Sequence, residues 1–266
     1  MTERPSPWYL PDLTRVEVAD AMARGVRTII IPLGATEQHG PHAPFSTDTI
    51  VAEEVSLRLG ARLPALVAPV LAVTYSPQHL PWAGSMTLTL ETLQRMLLEL
   101  LEGFAGQGFR RLLLLSGHGG NREAMLAAAH RFHERRGREH DVQVVHLLGL
   151  QAGAALRERV EQAVGKVSEA WEAHAGEQET SMVLARDPRL VRMERAPEPV
   201  IPSAHLERTR HPFVITVTHD LAGAVPQGSW GAPRRASAEQ GERTYEAMVD
   251  LLLPLIRSQW EAARDG

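Results

Sequence analysis

Residues 31 to 48, IPLGATEQHGPHAPFSTD, constrain this chain more than any other stretch. The apolar run Thr28 to Leu33 stops at Gly34. Beyond it stand Glu37, His39, His42 and Asp48, set among Gly40, Pro41 and Pro44. So many metal-type donors, on a loop stiffened by glycine and proline just past a buried strand, are too concentrated for a solvated turn. Side chains at i and i+2 of an extended segment point the same way. Glu37 and His39 can therefore face one point, and a return through Pro41 and Pro44 brings Asp48 back to it. Mixed carboxylate and imidazole donors suit a borderline divalent ion such as zinc, manganese or iron. A plainer role is also open to the end of the loop, with Ser46, Thr47 or Asp48 capping the next helix.

Strands and helices alternate around this stretch. The pattern predicts a helix over Arg15–Arg24 closed by Gly25, and a buried strand over Val26–Leu33. An amphipathic helix follows over Asp48–Leu59, then an apolar strand over Leu66–Val73 and a helix over Thr89–Phe104. A strand over Arg111–Leu115, a helix over Asn121–Arg136 and a strand over Val142–Leu148 complete the regular half. Such alternation implies an α/β fold, a mainly parallel sheet with helices on both faces. The second half predicts helices over Ala154–Val167 and Gly176–Ala185, an irregular stretch over 187–212 and a strand over Phe213–Val217. A Gly/Pro loop and a long helix over Ala238–Ala262 end the chain. No repeat or linker divides it, so residues 1–266 are expected to form a single domain.

Composition excludes several function classes. A net charge of −4 and a pI near 6.3 argue against nucleic-acid and membrane-surface partners. No apolar run is long enough to span a bilayer, and the N-terminus lacks a signal-peptide layout, so a cytoplasmic location is expected. With no cysteine there is neither a disulfide nor a thiolate ligand, and any metal must be held by His, Asp and Glu.

Ligands of open α/β sheets bind beyond the carboxyl ends of the strands, and two further loops there carry chemistry. Ser116-Gly117-His118-Gly119-Gly120-Asn121 follows a strand directly. Its glycines let the backbone approach a bound group, the next helix offers free N–H groups, and Asn121 is placed to cap that helix. His118, between glycines, has little to pack against and reads as a ligand. The third loop, WEAHAGEQETS, carries His174, Glu177 and Glu179. Glu177 suits a helix first turn, whereas Glu179, followed by MVLA, points inward. The expected metal ligands are thus Glu37, His39, Asp48, His118 and Glu179. Five ligands exceed one closed tetrahedral site and fit two ions per chain bridged by a carboxylate, with Asp48 the bridge. His174 remains as a proton shuttle, with Glu179 as its catalytic carboxylate partner.

GATEQHGPHAPFSTD, SGHGGN and HAGEQETS, in this order, resemble the creatininase family of metal-dependent amidohydrolases. The likeness runs from about residue 26 to 185 and continues more loosely through GSWGAPRRASAEQGE. It implies a three-layer α/β/α fold, a divalent metal pair, C–N bond hydrolysis and a ring-like homo-oligomer, often a hexamer. Glu37, His39 and Asp48 match the first-motif ligands, His118 the glycine-loop ligand and His174 the catalytic histidine. One position departs. Creatininase proper has a glutamate ligand two residues after the glycine-loop histidine, where this chain has Gly120. Members with GHGGN draw the carboxylate from the ETS segment, which makes Glu179 the substitute, with Glu177 as the other candidate. The resemblance also places Ser76 and His79 facing the substrate, with an ordinary loop role equally open to His79; Trp171 reads as a pocket wall or as core, and Gly119, Gly120 and Asn121 as the close-approach loop. The expected substrate is a small-molecule amide, a cyclic amide or formamide foremost. The alternatives are a short peptide tail, as in trimming of the mycofactocin precursor, a sugar-like carbonyl for a lyase or isomerase, and a non-catalytic binding module. His130, His133, His140, His146, His205, His211 and His219 read as surface or packing residues.

Overall fold

The computed structural model describes residues 8–137, 139–147, 162, 164–165, 174–200 and 221–262. Among these, a parallel sheet of β1 (Thr28–Leu33), β2 (Ala65–Val67), β3 (Arg111–Ser116) and β4 (Asp141–His146) runs in the order β2-β1-β3-β4. Ile30 of β1 stands opposite Val67 and Leu113, and Leu113 stands opposite Gln143. Every residue of β1 is buried, as a central parallel strand covered on both faces requires.

Alternation along the strands sends side chains to two separate cores. On one face Ile30, Val67, Leu113 and Leu115 meet Val51, Val55 and Leu59 of α2 (Thr47–Arg62). The C-terminal helix (Ala238–Ala262) adds Tyr245, Met248, Val249 and Leu252 to the same core. On the other face Ile29, Ile31, Leu33, Leu112 and Leu114 meet Leu93, Leu97 and Leu101 of α3 (Leu90–Gly106). Met125, Ala128 and Phe132 of α4 (Arg122–Arg136) complete that side. The α/β arrangement with helices on both faces of a parallel sheet is therefore as the alternation predicts. The earlier helix α1 (Arg15–Ala23) is closed at its start by a capping box between Thr14 and Glu17. Helix α5 (Glu177–Arg186) lies in the same layer as α2 and the C-terminal helix, numbered α6. Among the described residues no helix is long and apolar enough to cross a membrane.

Three expectations need correction. The strand expected over Leu66–Val73 ends at Val67: Ala68 N–H still donates to Ile30 O, but the next donor to β1 is Leu71, to Pro32 O, one residue beyond the two-residue step of a ladder, and an isolated bridge from Leu71 to Leu33 follows. Asn121 precedes α4 but its side chain makes no capping hydrogen bond, and neither does Ser46 before α2. The predicted strand at Phe213–Val217 lies outside the described residues, as does most of the predicted helix at Ala154–Val167.

The carboxyl ends of β1 and β3 and the first turn of α2 come together through the absence of a side chain at Gly117. Its N–H donates to Leu33 O at 2.9 Å. A Cβ there would stand 2.5 Å from the carbonyl oxygen of Asp48 and 3.1 Å from Ala52 N. Gly117→Ala is accordingly expected to push α2 outward and to cost about 1–3 kcal/mol, the usual range for overpacking, read as a lowered Tm. An unchanged Tm would show that α2 shifts freely and does not need this contact.

Candidate active site

Three loops converge beyond the β1 and β3 ends. Glu37 and His39 lie on the loop after β1, Asp48 in the first turn of α2, and His118 in the turn after β3. His174 and Glu179 come from the start of α5. Glu37, His39 and Asp48 are at most 2% exposed. One oxygen of Asp48 stands 3.3 Å from His39 Nε2 and the other 3.0 Å from His118 Nδ1. Glu37 Oε2 is 3.4 Å from the same His118 nitrogen, and Glu179 Oε2 is 3.7 Å from His39 Nε2. The five expected ligands thus meet in one buried cluster, with Asp48 between its two halves. Glu179 supplies a second carboxylate, beside that of Asp48, facing His39.

The charges inside the cluster oppose one another. Burial alone would lower His39, but the carboxylates of Asp48, Glu179 and Glu37 outweigh it and push His39 up to about 10. His118, likewise buried, is raised to about 9 by Glu37 and Asp48. Asp48 is held far below the carboxylate range, since the two histidines overcome its burial. Burial pushes Glu37 and Glu179 up to about 7. His79 falls to about 3 and His174 well below the usual histidine value, first through burial and then through neighbouring histidines.

This donor set fits a divalent metal. The Glu37–His39–Asp48 and His39–His174–Glu179 groups each bring ligand atoms within 4.8 Å of one another, and Glu37–His79–His174 forms a third such group. Buried His39 Nε2 and Asp48 Oδ2 meet their neighbours at ion-pair distance but without hydrogen-bond geometry. Protons on His39 and His118 sit where ligating nitrogens would need lone pairs, so a cation would replace them.

Several predicted residues have other partners. Ser76 Oγ donates to Glu37 Oε2, and His79 Nε2 lies 3.3 Å from Glu37 Oε1. Both are buried, and both hold the Glu37 carboxylate in place. Asn121 is fully buried: its Nδ2 donates to Gly34 O at 3.0 Å and to Ser116 Oγ at 3.1 Å, and its Oδ1 accepts from Tyr75 N at 3.4 Å. It braces the strand ends and does not face the site. His42, grouped in sequence with the ligands, instead lies against α5, with Nε2 2.9 Å from Thr180 Oγ1. Gly119 is exposed and Gly120 partly so. Trp171 lies outside the described residues.

Sequence reasoning gave no role at the site to Gln38, and only a loose family likeness to the segment 228–231. Gln38 is buried, with its side-chain amide nitrogen 3.0 Å from His79 Nδ1 and 3.2 Å from His174 Nε2. Trp230 exchanges two backbone hydrogen bonds with His174, at 2.7 and 3.2 Å, and Ser229 Oγ donates to Ala175 O at 2.9 Å. Ala175 itself has φ 50°, a strained value for a residue with a Cβ, and its N–H donates to Glu179 Oε2 at 2.6 Å.

The family model described as creatinine amidohydrolase matches residues 11–256. The chain belongs to the creatininase family. It is 32% identical over 255 residues to the mycofactocin precursor peptide peptidase of Mycobacterium tuberculosis, covering 90% of this chain and 88% of that protein. With the 3-dehydro-scyllo-inosose hydrolase of Thermotoga maritima it shares 30% over 277 residues, 97% of this chain and 86% of the other. The creatinine amidohydrolase of Pseudomonas putida is 27% identical, covering 95% and 97%. A manganese form of creatininase superposes with a TM-score of 0.77 at 26% identity, covering 95% of this chain and 98% of that one. A Zn-Zn form of a creatininase variant also gives 0.77 at 26%, covering 94% and 97%. These creatininase-family relatives are named for hydrolysis of different substrates.

The creatininase-family departure at Gly120 has a steric reason. A Cβ there would stand 2.5 Å from His118 Nε2 and 2.6 Å from Tyr75 O, the two atoms that are 3.0 Å apart in a hydrogen bond. Gly120→Glu is expected to break that bond and turn the His118 ring, visible in a crystal structure of the variant. A variant with the ring unmoved would refute this account of the glycine.

Proposed function

We propose that this creatininase-family protein hydrolyses an amide C–N bond of a small molecule, a cyclic amide or a formamide, with a pair of divalent metal ions. The observation that carries the reading is the Asp48 carboxylate, set with one oxygen toward His39 and the other toward His118. Glu37, Asp48 and His118 would hold one ion; His39, Asp48 and Glu179 would hold the other. Zinc, manganese or iron matches this set of donors. Bound there, the ions would supply Lewis-acid polarisation of the substrate carbonyl and acidify water toward neutral pH.

The chain's own residues supply the rest. His174 lies between two other imidazoles, its ring centroid 4.2 Å from that of His39 and 4.5 Å from that of His79. Kept neutral by burial, it can take a proton and deliver it to the departing nitrogen. Ser76 and His79 fix the Glu37 carboxylate, and the Ala175 N–H fixes that of Glu179. The side-chain-free turn at Gly119 and Gly120 offers backbone groups to the substrate.

A second reading keeps the chemistry and changes the substrate to a short peptide tail, supported by the 32% identity to the mycofactocin precursor peptidase. Elemental analysis and a hydrolysis panel separate these readings. The protein is expected to carry about two ions per chain, lost in Asp48→Ala. His174→Gln is expected to keep the metal while kcat falls about 10²–10⁴-fold, the usual scale for loss of a general acid or base. Release of product from cyclic amides or formamides supports the main reading, and cleavage of peptides alone supports the second. A protein free of metal in both forms would sink the mechanism.

A further inference from the structure

His42 carries a metal-type side chain on the first loop, yet among the described residues it joins none of the close ligand groups. Its ring meets α5 instead, where Nε2 stands 2.9 Å from Thr180 Oγ1. Both residues are at most 1% exposed. The other ring nitrogen, Nδ1, is buried without a hydrogen-bond partner, so the Thr180 hydroxyl is the ring's polar anchor. With water excluded and the local dielectric low, such a contact is stronger than the same pair at the surface.

The two anchored residues neighbour ligands on opposite sides of the cluster. Thr180 follows Glu179, whose Oε2 stands 3.7 Å from His39 Nε2. His42 comes three residues after His39, and the Ala43 N–H donates to His39 O at 3.3 Å, which closes the loop into a tight turn. A displacement of His42 is therefore carried to His39. The His42 carbonyl adds a second tie: it accepts the Arg192 N–H at 2.8 Å, on the chain beyond the end of α5. The first loop is thus fastened to α5 near the helix start and again to the segment that follows it. Glu37, Asp48 and His118 have no such requirement. They come from the loop after β1, the first turn of α2 and the turn after β3, and α5 contributes nothing to them.

We propose that His42 and Thr180 are positioning residues that set the half of the cluster formed by His39, Asp48 and Glu179, and leave the half formed by Glu37, Asp48 and His118 untouched. The proposal rests on the paired-ion reading and adds what makes the two halves unequal. One is built on the strand ends and α2; the other is assembled across two distant parts of the chain, through an imidazole–hydroxyl contact.

The test is a calorimetric zinc titration of metal-stripped protein, for the unaltered chain, Thr180→Val and Thr180→Ser. Valine keeps the shape of threonine without the hydroxyl, and serine keeps the hydroxyl. The unaltered chain is expected to take up about two ions. Thr180→Val should hold one as tightly as before and the other about 10–100-fold more weakly, the usual effect of losing a residue that orients a ligand. Thr180→Ser should bind both nearly as the unaltered chain does. His42→Leu should match Thr180→Val, and the double variant should lose no more than either single one, since both act through one contact. Unchanged affinities in Thr180→Val, equal loss at both ions, or a serine variant as weak as the valine one would overturn the proposal. So would a Thr180→Val that does not fold, because the hydroxyl would then hold the fold and not the site. Should His42→Leu not fold, the valine and serine variants decide. Two ions unaffected by valine would remove this proposal and leave the paired-ion reading standing. One ion in the unaltered chain would remove the pairing, and the proposal would then survive only if valine weakens that ion. Metal uptake needs no substrate, so an inert amide panel would refute the functional reading alone.

Discussion

The site depends on one carboxylate buried between two imidazoles. Removing a lone carboxylate from water is costly, and in proteins it is tolerated only where opposite charges and hydrogen bonds compensate. Asp48 has that compensation on both oxygens, from His39 and His118. It also sits in the first turn of α2, where the helix dipole favours a negative charge. Its neighbours follow from this placement. β1 and β3 must be adjacent so that the loops after them reach the same point, and Gly117 must lack a side chain so that α2 can start against β3.

Around Asp48 the remaining groups divide into those that would ligate and those that hold the ligands. Glu37 is gripped by Ser76 and His79, Glu179 by the Ala175 N–H, and His39 by its own loop, with Nδ1 3.2 Å from Glu37 O. Orientation by such outer contacts decides ligand geometry as much as the ligands themselves do. The strained backbone at Ala175 is consistent with this: the cost of a positive φ is accepted where it aims an N–H at a carboxylate.

The α/β arrangement could be read directly from the alternation of TIIIPL and RLLLLS with amphipathic helices, because period and burial there have a single cause. The clustering of Glu37, His39, Asp48, His118 and Glu179 could be read because carboxylates and imidazoles at that density have few other uses. Gln38 could not, for a definite reason. The alternation rule that made Glu37 and His39 co-directional puts Gln38 on the opposite side, but the segment is a turn in which His39 bridges Pro41 and Ala43. Away from a true strand the period of two no longer holds, and the residue between two ligands also faces inward. The partners of Ser76, His79 and Asn121 are not legible in the sequence, which does not reveal which hydroxyl, imidazole or amide meets a carboxylate and which meets the backbone. The short β2 reflects the three-residue step from Ala68 to Leu71 between successive hydrogen bonds to β1, which the apolar run around it does not reveal.

The backbone pairing of His174 with Trp230 has a consequence for how the protein comes into being. Glu37, His39, Asp48 and His118 all lie in the first half of the chain, whereas the backbone partner of His174, Trp230, comes from its last sixth. At about 5–20 residues per second on the ribosome, the acidic and imidazole donors emerge seconds before the segment that closes over them. A cation captured in that interval would be chosen by intrinsic affinity and abundance, in the order that ranks zinc and copper above manganese and iron. Only later would a finished cavity impose its shape. The identity of the resident ion would then record the ionic composition of the compartment during translation as well as the preference of the mature protein.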